Sequence, residues 1–235
     1  VGQNLSLARS HLENLTNQAL PDQLPGLANS FNGASLAQVD SLQTWFTLAK
    51  IHNLDLAGNG FATQQAFHNY QAKEVGLYPR GSISMSQNYN ASAGDTQTLS
   101  IGISGTFYDG GLNLSQTKEA KETWHASQQK GQAILRATQQ EVRRWHKALD
   151  TSLQQIQALA QLNTAVQASL AGKNTEYELG LRDISDILDA EKLVFSAQKS
   201  WANARLDLVL NQLRLKKASG LLSRAELTQM DQWFN

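Results

Sequence analysis

Between Leu112 and Leu170 the chain runs for about sixty residues without a proline and with one internal glycine, Gly131. At ~1.5 Å per residue an unbroken helix there would be about 90 Å long, several times an ordinary globular helix. Its later part repeats every seven residues. Leu135, Val142, Leu149, Ile156, Asn163 and Leu170 form one row, and Thr138, Trp145, Ser152, Leu159 and Val166 form the row beside it. A sustained heptad of this kind favours left-handed supercoiling against another helix. A rod this long cannot bury its own apolar row, so it needs neighbours.

A partner stretch follows. Gly172, Lys173 and Asn174 loosen the far end of the rod, residues 177–183 make a return, and a second long helix is expected from about Ile184 to Ala218. There Ile187, Val194, Trp201, Leu208 and Leu215 recur at seven, with Ala190, Ala197, Ala204 and Asn211 in the adjoining row. Large residues beside small ones suit interdigitation. Leu188, Phe195, Ala202 and Val209 add a further row, so the apolar face is wide enough for two neighbours.

Composition excludes more than it assigns. The 20 basic and 20 acidic residues cancel, so nothing draws the chain towards nucleic acid. There is no cysteine, and the five histidines show no metal-ligand spacing. Neither Gly58-Asn59-Gly60 nor Gly110-Gly111 completes a phosphate-binding loop. Neither an enzyme's constellation nor a cofactor site is legible. No apolar run reaches the ~20 residues of a membrane-spanning helix, and Val1–Ser10 has no signal-peptide pattern.

The first part of the chain reads as helices and loops. Residues 4–18 resemble the end of a helix, and Leu12–Asn17 echoes Leu215–Gly220, each closing on a residue that tolerates left-handed backbone. This echo leads us to expect the tail of a preceding repeat at residues 1–18. A short helix is expected over 36–53, and another from about Leu56 to Leu77, ended by Pro79.

The period then changes. Ile83 and Met85 alternate with serines, and after a polar turn Leu99, Ile101, Ile103 and Phe107 alternate with Ser100, Gly102, Ser104 and Thr106. Two such runs make a hairpin with one apolar and one small-polar face. A lone hairpin is marginal in water. It either caps a soluble core or belongs to an oligomeric membrane β-barrel with Leu99, Ile101, Ile103 and Phe107 facing lipid.

The order of helix, proline, strand, loop, strand, Phe-Tyr-Asp-Gly-Gly, long helix, tight return and long helix resembles the TolC family of outer-membrane efflux and secretion channels. Leu77-Tyr78-Pro79, Phe107–Gly111, Tyr177–Ala190 and Ala204–Gly220 carry the resemblance. It implies a mainly α fold in which long antiparallel coiled coils form an α-barrel tunnel and the strands join an oligomeric transmembrane β-barrel. On this pattern 19–55 and 219–235 are equatorial helices and loops, 56–78 an upper helix, 80–107 the outer-membrane hairpin, and 112–218 the tunnel hairpin with its tip near 172–183. The family's protomers carry two repeats and form trimers, whereas this sequence holds one. It therefore reads as half of such a protomer, or as a single repeat needing six copies.

The resemblance further implies a passive exit duct in the outer membrane of a Gram-negative bacterium, its helices in the periplasm. It would serve drug efflux or type I secretion with a periplasmic adaptor and an inner-membrane pump. Gly180 matches the turn at the tip. Tyr177 and Arg182 match positions that hold the entrance closed by bonds to neighbouring coils, and Asp186 and Asp189 match carboxylate rings lining it. The residues by themselves also allow plainer roles: Asp183 as a helix N-cap, Asp186 for the helix dipole, Tyr177 as coil packing. The competing reading of the whole is a soluble periplasmic coiled-coil adaptor.

Overall fold

The computed structural model describes residues 2–17, 19–20, 26–28, 41–89, 95–106 and 108–234. Six helices and one hairpin follow in order among them: α1 (Gly2–Thr16), α2 (Leu42–His52), α3 (Leu54–Val75), β1 (Arg80–Asn88), β2 (Thr96–Ser104), α4 (Leu112–Glu178), α5 (Ile184–Ala218) and α6 (Arg224–Asp231). Residues 46–141 form one unit, and residues 1–45 with 142–235 another.

In the first unit α3 lies along the opening turns of α4. Asn53 starts α3 two residues before the expected point, because its side-chain oxygen accepts from the amides of Asp55 and Leu56. The Thr63 and Ser127 hydroxyls share a hydrogen bond of 2.9 Å, and Phe67 and Tyr70 pack on Trp124 with centroids 5.0 and 6.1 Å away. Lys73 donates to Gln116 at 3.1 Å. Gly131 is the close-approach point, since a Cβ there would stand 2.6 Å from the Asn59 amide nitrogen. The start of α4 explains the Asp-Gly-Gly run: Gly110 and Gly111 take φ of +69° and +85°, and the Asp109 carboxylate accepts from the amides of Gly111 and Asn113.

β1 and β2 pair antiparallel. Ile83 lies opposite Ile101 and Met85 opposite Leu99, while Ser84 faces Ser100 and Ser82 faces Gly102. Because side chains alternate, one face collects Ile83, Met85, Leu99, Ile101 and Ile103, and the other collects Ser82, Ser84, Ser86, Thr98, Ser100 and Ser104. The apolar face is bare, with Ile101 75% and Ile103 83% exposed. Phe107 lies outside the described residues, as do residues 36–40 of the helix expected over 36–53.

In the second unit the later α4 and α5 pack antiparallel along the heptad rows. Val142, Leu149, Ile156, Ile187, Val194, Leu208 and Leu215 are buried, with Ala190, Ala197 and Ala204 as the small partners. Asn211 donates to the Ser152 hydroxyl across this seam at 2.9 Å, and Trp145 lies under the guanidinium of Arg214 at 4.8 Å. Arg205, only 4% exposed, lies over the Trp201 ring and donates to the carbonyl of Ala28; desolvation lowers its pKa. Ala28 in turn donates to the Trp233 carbonyl at 2.8 Å, next to a bridge between Leu27 and Phe234.

One expectation is corrected. The rod does not loosen at Gly172–Asn174; α4 continues to Glu178. A lone interior glycine costs a helix only ~1 kcal/mol, and here Thr175 bonds back to Ala171 while Lys173 donates to the Asp186 carbonyl at 3.4 Å. The return is therefore confined to 179–183.

Candidate functional site

The return is built by a glycine that closes one helix and an acid that opens the next. α4 ends with Gly180 at φ +74°; its amide donates to Tyr177 O at 2.8 Å, and the Leu181 amide donates to Glu176 O at 2.9 Å. This is a Schellman closure, which satisfies the last carbonyls and favours glycine. Gly220 ends α5 by the same pair of bonds, to Lys217 and Lys216. Asp183 then opens α5 in extended conformation, accepting from the Ile184 amide.

Arg182 bridges the two helix ends. Its Nε donates to Glu176 Oε2 at 2.8 Å, and a terminal nitrogen lies 3.6 Å from Asp186 Oδ2. The hydrogen bond to Glu176, then the charges of Glu176 and Asp186, raise the Arg182 pKa above its ordinary value. All three side chains are about half exposed, so solvent screens the pairs and they add little to folding.

The remaining candidates surround this cluster. Tyr177 is 43% exposed, Asp189 is exposed one turn beyond Asp186, and Leu179 and Leu181 project apolar side chains from the return. An open cavity of about 670 Å3 is walled by Glu176, Gly180, Arg182 and Asp186. Tyr177 and Asp189 are not among its walls. Glu176 escapes the sequence reading, although a signal for it exists: Glu176 and Glu178 sit in the last turn of α4, where the helix dipole disfavours acids. An acid in that place calls for a nearby cation, and Arg182 is that cation.

Leu99, Ile101 and Ile103 line up on the exposed apolar face of β2, whereas Ser100 and Ser104 occupy the opposite face. Among the described residues no group of acids and histidines is placed to hold a metal, and no helix is long and apolar enough to cross a membrane.

Comparison with known proteins bears on what such a chain belongs to. Outer membrane protein TolC of Vibrio cholerae is 24% identical over 209 residues, 84% of this chain and 48% of that protein. Alkaline protease secretion protein AprF of Pseudomonas aeruginosa is 24% identical over 195 residues, 80% of this chain and 40% of its own length. The chain thus spans about half the length of the curated relatives it matches. In structure it resembles the open state of the MtrE outer membrane channel of Neisseria gonorrhoeae, with a TM-score of 0.76 at 20% identity, over 94% of this chain and 51% of that one. The fold is therefore that of the TolC-like channels, mainly helical with a small antiparallel sheet. Residues 45–221 match the model of the outer membrane efflux proteins, and the chain belongs to that family.

Proposed function

We propose that the chain is one repeat of an outer-membrane exit duct, a passive tube that carries cargo outward for an efflux or secretion system. The observation that carries this reading is the hairpin. Its apolar residues are bare on one face and its serines and threonines occupy the other, as a barrel between lipid and water requires. Family membership agrees, and it disfavours the soluble adaptor, which has no use for an exposed apolar sheet face.

In this duct Leu99, Ile101, Ile103 and Phe107 meet lipid, α4 and α5 form a wall of the periplasmic tunnel, and three two-repeat protomers or six single repeats close the ring. The return faces the periplasm and meets an adaptor, and through it an inner-membrane pump. Arg182, with Glu176 and Asp186, holds the entrance closed, and Tyr177 supports that state. Asp186 and Asp189, repeated around the axis, concentrate negative potential and favour cations.

Planar-bilayer conductance of the full-length assembly tests this. The wild type should form pores of low resting conductance, Arg182→Ala should raise that conductance, and Asp189→Asn should reduce cation preference without opening the pore. Arg182→Ala and Asp189→Asn channels indistinguishable from wild type would reduce this stretch to ordinary coil.

A further inference from the structure

Where β1 leaves α3 and β2 returns towards α4, an open cavity of about 680 Å3 is walled by Lys73, Tyr78, Arg80, Ser104, Asn113 and Gln116. Two cations line it, and no carboxylate stands among its described walls. Neither cation is neutralised nearby. Arg80 has no ion pair among the described residues, and Lys73 donates to the neutral amide oxygen of Gln116 at 3.1 Å. The acid beside Lys73 is engaged elsewhere: Glu74 accepts from the Tyr70 hydroxyl at 3.1 Å. Asp109 is spent on the amides that open α4, so those donors are not free to hold a ligand.

We propose that this cavity binds a phosphate-class oxyanion. A planar guanidinium and an ammonium at one open, acid-free cavity supply charge-assisted donors matched to tetrahedral oxygens. The Tyr78 and Ser104 hydroxyls and the Asn113 amide add neutral donors around them. The strand register decides where the ligand comes from. Arg80 pairs with Ser104 in the same alternate row as Ser82, Ser84 and Ser100, so the cavity belongs to the polar face of the hairpin. On the duct reading, on which this placement rests, that face looks into the bore. The occupant is then a soluble anion or an anionic group on passing cargo, and not a lipid headgroup. Repeated around the ring, Lys73 and Arg80 form a cationic girdle, opposite in sign to the acids of the return.

Calorimetric titration of the full-length assembly in uncharged detergent with inorganic phosphate tests the site. Arg80→Gln and Lys73→Gln should each weaken binding by about tenfold, the loss of one charge-assisted contact, with partial recovery in Arg80→Lys. No phosphate binding to the wild type, or equal binding by all four proteins, overturns the site. Phosphate should also lower single-channel conductance in wild type and do so less in Arg80→Gln. Binding without any such block overturns the bore placement. Co-purified anionic phospholipid that is lost in Arg80→Gln overturns it too, in favour of a headgroup site. A wild type that binds phosphate but forms no pores overturns the duct reading and leaves the oxyanion site standing.

Discussion

Gly131 is one of two glycines inside a 67-residue helix, and its reason lies on another element. Asn59 of α3 occupies the space a Cβ would need, with its amide 2.6 Å away and donating to the Ser127 carbonyl at 3.4 Å. Alanine is better than glycine in a helix by ~1 kcal/mol, but here it displaces Asn59. Gly131→Ala should therefore be close to neutral in the wild type, whereas in an Asn59→Ala background it should stabilise by ~1 kcal/mol. Thermal unfolding of the four proteins decides it; equal effects in both backgrounds would mean that Asn59 does not exclude the methyl. At the return the governing interaction is between charges. Glu176 and Arg182 are one pair, so Glu176→Gln should raise resting conductance in the same direction as Arg182→Ala, and the double variant should add little to either. Strict additivity in bilayer recordings would show that Arg182 acts through a different acid. Gly220 and Asn17 are legible in the sequence as residues that tolerate a left-handed helix end, and both take positive φ; Gly180 is legible there only through the family resemblance. Glu176 is not, because its partner lies across a bend whose path the sequence does not specify.

Among the elements, the α4–α5 seam is the most legible, since its heptad rows coincide with the buried residues. What the heptads leave open is register, because a slip by seven keeps every apolar residue covered. Asn211 and Ser152 restrict that freedom, since the Asn211 amide donates across the seam to Ser152 while its oxygen accepts from Arg214 on the same helix. Either Asn211→Ala or Ser152→Ala should cost ~1 kcal/mol, with a coupling of ~0.5–1.5 kcal/mol between them in a double-mutant cycle. Zero coupling by chemical denaturation would remove the pair as a register device. The hairpin tests differently. With single cysteines labelled by a fluorophore, a lipid-phase quencher should reach Leu99, Ile101 and Ile103 and spare Ser100 and Ser104. Quenching at the two serine positions would put the wrong face towards lipid.

At the scale of the whole molecule, apolar surface remains that none of the described residues covers. Phe195 is 68% and Leu188 58% exposed on α5, and both edges and the apolar face of the hairpin are open. Exposed edges and apolar rows of this kind demand partners. In detergent-free buffer the chain should associate or aggregate, and with suitable detergent it should form a discrete oligomer, read by analytical ultracentrifugation. A monodisperse monomer without detergent would favour the soluble alternative. The second apolar row on α5 is plain from residue spacing, and the exposure of Leu188 and Phe195 follows from geometry: α4 covers one seam and these two lie beside it, whereas Val209, the last of the row, is buried.

Periodicity by itself determined the helices, the strands and the faces they bury, because burial on a helix recurs at 3.5–3.6 residues and on a strand at two. Local backbone preference likewise determined the ends of α1 and α5, at Asn17 and Gly220. Only the tertiary structure decided where the return begins, since a glycine inside a long helix is tolerated when both sides hold. The same holds for Arg182 pairing with Glu176, for Arg205 reaching the Ala28 carbonyl across 177 positions of chain, and for Lys73 and Arg80 sharing one cavity. Each depends on how two elements approach, and no local preference of either residue carries that information.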